Sequence, residues 1–184
     1  IPNLVYLAPT NCEEYLAMLD WSIEQTQYPV AVRIPRNGVH HTSAHVQTDY
    51  SDLNKNLVTR QGEKVAVFAL GDFYQMGEEL CDNLEKAIEV KPTLVNPRYI
   101  TGLDAELLES IKRDYKVVLT LEDGVLDGGY GQKVASFLGS SDVKVLNYGL
   151  KKEFIDRFNA NDILEANGIT IENMTNEVKS LLKG

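Results

Sequence analysis

Val65 to Leu70 reads VAVFAL, six apolar residues without a polar interruption. The run is far too short to cross a bilayer and too continuous for a strand with one wet face. It predicts a strand buried on both sides, which is the signature of a parallel-type sheet covered by helices. The surrounding sequence keeps that rhythm. A short strand candidate at 56–60 is followed by a Gln61-Gly62 turn. Helix patterns run over 74–90 and from Thr101 or Asp104 to Arg113, and strand patterns lie at 93–96 and 116–121. Gly128 to Gly131 opens a helix to about Leu138, 143–147 is a last strand, and Ile171 to Leu182 is a final amphipathic helix. Strands alternating with helices at this spacing predict a three-layer α/β/α domain with right-handed crossovers.

A smaller unit precedes it. Leu4 to Ala8 reads as a strand ending at Pro9, and Thr10 or Asn11 supplies an N-cap for a helix from Cys12 to about Thr26, with Glu13 and Glu14 in its first turn. The spacing of Tyr15, Leu16, Leu19 and Ile23, flanked by Met18 and Trp21, predicts an inward face that leaves Glu14, Asp20 and Glu24 outside. Pro29 to Ile34 is a second strand. Two such strands do not make a stable sheet alone. Residues 37–55 show little periodicity and read as a linker, so the boundary is set at 1–48 and 49–184. Because the chain starts at Ile1 and enters a strand pattern at once, it is expected to be a piece of a longer polypeptide.

Charge narrows the partners. Eighteen Lys plus Arg against 27 Asp plus Glu give a formal charge of −9, which opposes nucleic acid and anionic membrane surfaces at long range. Neither an export signal nor an apolar run of spanning length occurs. Cys12 and Cys81 lack the spacing of a zinc or redox motif, and a reducing cytoplasm suits them best.

Candidate sites are few. Asp127-Gly128-Gly129-Tyr130-Gly131 sits between a buried strand and a helix, where backbone amides can hold an anion. Glu122, Asp123 and Asp127 crowd the same corner, and one carboxylate about 8 Å from a phosphate opposes it by roughly 2 kcal/mol at an effective dielectric near 20. A structural turn or domain-contact loop is therefore the expected role, and Leu70-Gly71-Asp72 takes the same reading. His40, His41 and His45 include an i, i+4 pair, but Gly38, Thr42 and Ser43 favour no helix, so a solvated loop is expected. Arg33 lies within a strand and suits a structural ion pair. Arg36, past Pro35 and beside Asn37-Gly38, is freer to grip a carboxylate or phosphate. There is no G-x-S-x-G elbow, Walker loop or H-E-x-x-H.

The run PNLVYLAPTNCEEYLAMLDWSIEQTQYPVAVRIPRNG resembles the second half of the pyrimidine-binding domain of the 1-deoxy-D-xylulose-5-phosphate synthase family. LEDGVLDGGYG and VKVLNYGLKKEFIDR are similar to the carboxy-terminal, transketolase-type domain of that family. The resemblance implies a transketolase C-terminal-like domain preceded by an incomplete thiamine-diphosphate pyrimidine-binding domain. For the full-length enzyme it implies condensation of pyruvate with glyceraldehyde 3-phosphate, with loss of CO2, on thiamine diphosphate and Mg2+. It also implies a cytoplasmic homodimer that feeds isoprenoid, thiamine and pyridoxal synthesis. The family's G-D-G metal motif, activating glutamate and catalytic histidines fall in earlier sequence. No catalytic, cofactor or metal residue is thus assigned to this chain, which is expected to bind no cofactor and to be inactive alone. One residue carries over: Arg36 matches the arginine of the family's P-R-G segment that grips the substrate phosphate, although Asn37 here separates it from Gly38. The beta subunit of a 2-oxo acid dehydrogenase shares the layout and is the alternative, with the NYGLKKEFIDR tail favouring the synthase. A non-catalytic assembly module of the same fold is the third reading.

Overall fold

The computed structural model describes residues 1–35, 38–156 and 159–183. The larger sheet has the strand order β3-β5-β4-β6-β7. These strands are β3 (Leu57–Arg60), β4 (Lys64–Ala69), β5 (Thr93–Asn96), β6 (Tyr115–Val125) and β7 (Lys144–Leu150). β4 runs parallel to β5 and β6, and β7 runs parallel to β6. β3 departs from the all-parallel expectation and is antiparallel to β5. Residues 61–63 alone join β3 to β4, too few for the crossover that a parallel strand needs, so the chain must reverse direction there.

Alternate residues of β4 feed two separate cores, as a strand buried on both faces requires. Val65, Val67 and Ala69 pack with Leu80 and Leu84 of α2 (Tyr74–Ile88) and with Met174 and Val178 of α6 (Ile171–Lys183). Ala66 and Phe68 pack with Leu108 and Ile111 of α3 (Ala105–Asp114) and with Val134 and Leu138 of α4 (Tyr130–Leu138). The three-layer fold follows from that alternation.

The remaining elements are β1 (Val5–Leu7), α1 (Cys12–Glu24), β2 (Val30–Val32) and α5 (Ala160–Ala166). β1 and β2 form a two-stranded parallel sheet. β1's outer edge is stitched to the large unit: Ile100 N–H donates to the Tyr6 carbonyl (2.7 Å) and Ala8 N–H to the Arg98 carbonyl (2.8 Å). Arg98, buried and at φ +63°, donates to the Lys55 carbonyl and to Gln47, and its guanidinium lies 5.7 and 5.8 Å from the ring centres of Tyr50 and Tyr99. One side chain of the large unit thereby holds the 47–55 linker at both its ends.

Three readings need correction. The inward face of α1 is Glu14, Met18 and Trp21, not Leu16, Leu19 and Ile23; Leu16 and Ile23 are 51% and 71% exposed. The helix carries two apolar faces, and the packed one is set by Trp21, whose ring meets Tyr50 edge-on at 6.1 Å. α5 has no buried residue, so it had no core-facing periodicity to reveal it. β6 and β7 run past their expected ends because they stay paired as far as Val125 and Leu150, beyond an irregularity after Leu121.

α2 lies close on the sheet at Gly77, where an added Cβ would stand 2.5 Å from the Ala69 Cβ and 3.1 Å from Leu94 Cδ1. Gly77→Ala is expected to cost about 1–3 kcal/mol through overpacking. Urea unfolding checks it, and an unchanged midpoint would show that α2 sits farther from β4 than described.

Candidate functional site

In an open sheet with β5 and β6 flanking β4, chain connections leave β4 and β6 in opposite directions. Ligands of such folds collect in the crevice at the carboxyl ends of those two strands. Here that crevice is bounded by Gly71-Asp72 after β4 and by Glu122-Asp123-Gly124 near the end of β6.

The chain fills it with its own groups. Arg33, just beyond β2, forms an ion pair with Asp123 Oδ1 (2.7 Å) and donates to the Asp123 carbonyl from the same nitrogen. Both side chains are 29% exposed. Burial pushes the Asp123 carboxyl up, Arg33 opposes that shift, and Asp72 adds to it. Gly71, at φ +58°, lies so close that an added Cβ would stand 3.3 Å from the Ala8 Cβ. The structural ion pair expected of Arg33 is therefore what the fold forms, and Leu70-Gly71-Asp72 is a contact turn.

The glycine loop has an equally specific internal partner. Buried Glu122 accepts from Tyr130 N–H through Oε2 (2.9 Å) and from Gly131 N–H through Oε1 (2.8 Å). These are the amides at the start of α4 that would otherwise face an anion. An added Cβ at Gly129 would lie 2.6 Å from both carboxylate oxygens. The run of glycines lets the helix start settle onto an anion that the chain itself supplies.

Arg36 and Asn37 lie outside the described residues. Pro35 lines a cavity of about 140 Å3 with Asn11, Tyr15, Val39 and His40. On its other side it borders a cavity of about 350 Å3 beside Arg33, Asp72 and Phe73. Gly38 is exposed at φ +106°. Past it, the histidine loop is fastened to α1. Cys12 N–H donates to the His40 carbonyl (2.8 Å), and Glu13 pairs with His41 Nδ1 (2.8 Å) and accepts from Thr42 N–H (2.9 Å). These contacts hold the Glu13 carboxyl down at about 2, with the His41 hydrogen bond as the chief cause. The three histidines are solvent-exposed, and among the described residues no group of three His, Cys, Asp or Glu side chains converges on a point.

Sequence reasoning missed Glu14, which it placed in solvent. The residue is buried, and its carboxylate accepts from Thr10 N–H (2.7 Å), the Thr10 hydroxyl (2.9 Å) and Asn96 Nδ2 (3.0 Å). It bolts the first turn of α1 to the end of β5, and burial raises its pKa against those hydrogen bonds. It shares a stripe with Met18 and Trp21 at i+4 and i+7, but only the distant Asn96 marks that stripe as the packed one.

Residues 54–174 match the family model described as Transketolase, C-terminal domain. The chain is similar to 1-deoxy-D-xylulose-5-phosphate synthase of Alkaliphilus oremlandii, at 33% identity over 97% of this chain and 29% of that protein. The synthase of Pseudoalteromonas translucida is 30% identical over 99% of this chain and 28% of its own length. The chain thus spans less than a third of these relatives, in their carboxy-terminal part. Among solved structures, a split-gene transketolase described as an inactive beta4 tetramer superposes with a TM-score of 0.83 at 24% identity, covering 100% of this chain and 58% of that one. Transketolase of Campylobacter jejuni gives 0.70 at 16% identity, over 97% of this chain and 26% of that one.

The Glu13 contacts make an acid-limb test. A carboxyl held near 2 in the fold and near 4.5 when free adds stability that is complete above pH 4.5 and is lost as pH falls toward 2. The gap in urea midpoint between the native chain and Glu13→Gln is expected to be present at about pH 5 and to close as pH falls from 4.5 toward 2. Glu14, shifted the other way, is common to both proteins and cancels. A gap independent of pH would show that the 40–42 segment is not held by the Glu13 carboxylate.

Proposed function

We propose that this chain, which belongs to the transketolase C-terminal domain family, is the carboxy-terminal part of an enzyme of the 1-deoxy-D-xylulose-5-phosphate synthase type. Residues 49–184 are read as the transketolase C-terminal domain and 1–48 as part of the pyrimidine-binding domain. The observation that carries the reading is the continuity of the likeness: 97–99% of the chain aligns in one stretch with those synthases, across both units and the linker between them.

The complete enzyme would join pyruvate to glyceraldehyde 3-phosphate with release of CO2, using thiamine diphosphate and Mg2+. It would act in the cytoplasm as a homodimer and feed isoprenoid, thiamine and pyridoxal synthesis. The groups described here do not fit that cofactor. The helix-start amides at the strand ends are taken by Glu122, Asp123 is paired with Arg33, and the described residues bring no three metal-ligating side chains together. No chemical step is assigned to them. Their work is to hold the exit of β2 rigidly, so that Arg36 is presented to the substrate phosphate by a strand end locked at Arg33 and a following loop fastened at Glu13. Of the other two readings, the 2-oxo acid dehydrogenase beta subunit is set aside because the relatives named above are synthases along nearly the whole chain. The split-gene neighbour, described as an inactive beta4 tetramer, is in keeping with the expectation that this chain is silent alone.

The test has two arms. Alone, with thiamine diphosphate, Mg2+ and pyruvate, the chain is expected to release no CO2; release above background would overturn the reading. Combined with a polypeptide corresponding to the region of the Alkaliphilus oremlandii synthase that precedes the match, it is expected to restore condensation. In that assembly Arg36→Ala is expected to raise KM for glyceraldehyde 3-phosphate by about 10- to 100-fold, the loss of a charge-assisted contact of roughly 1.5–3 kcal/mol. KM for pyruvate should stay within about twofold. Equal loss for both substrates would remove Arg36 from the phosphate site.

A further inference from the structure

A cavity of about 390 Å3 lies where the start of α1, the 42–47 segment and the face made by β3, β5 and α2 come together. That volume suits a small molecule, and the proposed function makes no use of it. Two residues of its walls are buried and opposite in charge: Glu14 is 5% exposed and Arg98 4%.

Neither charge has a counter-ion. The Glu14 carboxylate accepts from neutral donors, the Thr10 amide and hydroxyl and Asn96 Nδ2. The Arg98 guanidinium has five N–H bonds, and those that find partners go to the Lys55 carbonyl and to Gln47 Oε1, which are neutral as well. Among the described residues neither side chain takes part in an ion pair. Asn96 links the two residues, accepting from Arg98 N–H through Oδ1 (3.1 Å) while its Nδ2 serves Glu14 (3.0 Å). Burial raises the Glu14 pKa, and Arg98 is the smallest of the effects that oppose the rise. Buried charges ordinarily sit against a charge of opposite sign. Here one of each sign opens onto the same space.

A third charge fixes the balance. Glu78 of α2 is exposed and lines the same cavity. With histidine counted neutral, the walls carry two negative charges and one positive, so a guest of net charge +1 completes them. A plain anion such as phosphate would meet Glu14, and a simple amine would leave Arg98 without a partner.

We infer that this cavity binds a small zwitterion of net positive charge, a basic amino acid, with its α-ammonium group at Glu14, its carboxylate at Arg98 and its cationic side chain at Glu78. The inference is independent of the proposed function, because it uses neither Arg36 nor thiamine chemistry and is decided by binding alone.

L-Lysine and L-arginine are the probes, added to the native chain at neutral pH and followed by calorimetry and heteronuclear NMR. At least one is expected to bind saturably and to shift the Asn96 Nδ2 and Arg98 Nε–H resonances along the same curve. Its decarboxylated counterpart, cadaverine or agmatine, is expected to bind at least about tenfold more weakly, the loss of a charge-assisted contact. Glu14→Gln should weaken the amino acid by about 10- to 100-fold. Glu78→Gln, at an exposed position, should weaken it by about two- to fivefold and leave L-alanine, which has no cationic side chain, unaffected. If Glu14→Gln does not fold, the resonance shifts in the native chain and the Glu78→Gln comparison decide the matter. Equal affinity for amino acid and amine would reveal attraction to an acidic surface only, and would overturn the inference. Shifts confined to other parts of the chain, an affinity unchanged by the substitutions, or no saturable binding of either probe at millimolar concentration would overturn it too.

Discussion

The pairing of Arg33 with Asp123 is the interaction on which the rest of the structure depends. It joins the end of β2 in the small unit to the end of β6 in the large one, at the place where a doubly wound sheet normally receives a ligand. A guanidinium fixed by both the side chain and the backbone carbonyl of one residue sets position as well as charge. Around it, Glu122 neutralises the start of α4, and Glu14 ties the start of α1 to Asn96 at the end of β5. The carboxyl ends of β5 and β6 therefore each face a charged group from their own chain.

That arrangement explains how an α/β fold with glycine loops at its strand ends can serve as scaffold. Anion-binding amides, acidic turns and an arginine are all present, but they satisfy one another. What stays outward in the small unit is Ile34 and the second apolar face of α1, with Leu16 and Ile23. The large unit is a platform with two separate cores, and the small unit is a two-stranded sheet under one helix.

The large unit was legible because its helices and strands announce themselves through burial. VAVFAL could only be a strand covered on both faces, and the α6 stripe of Met174 and Val178 appears in the sequence as it does in the core. α1 was misread for the opposite reason. Its sequence offers two apolar stripes, and nothing local distinguishes the one that holds Met18 and Trp21 and meets Tyr50 from the one that holds Leu16 and Ile23. Glu14 followed the same error, since a glutamate in a first turn is usually a solvated partner of the helix dipole. The inward turn of this one depends on Asn96, 82 residues away. α5 is invisible to periodicity because no side chain on it is buried. At the site, the ion-pair role of Arg33 followed from its expected place in a strand over 29–34, which in the structure ends one residue earlier at Val32, while its partner required the tertiary fold. The acidic corner at residues 122–127 was read as hostile to phosphate, and the structure supplies the reason in the Glu122 carboxylate bound to the α4 amides.

A double-mutant cycle on Arg33 and Asp123, followed by urea unfolding, tests most directly whether the two units are held as one body at the sheet's strand ends. For a pair this close and partly shielded from solvent, Arg33→Ala and Asp123→Ala are expected to show a coupling of about 0.5–2 kcal/mol, with a single unfolding transition in the native chain. Strictly additive single losses, or a small unit that unfolds separately in the unsubstituted chain, would contradict the account.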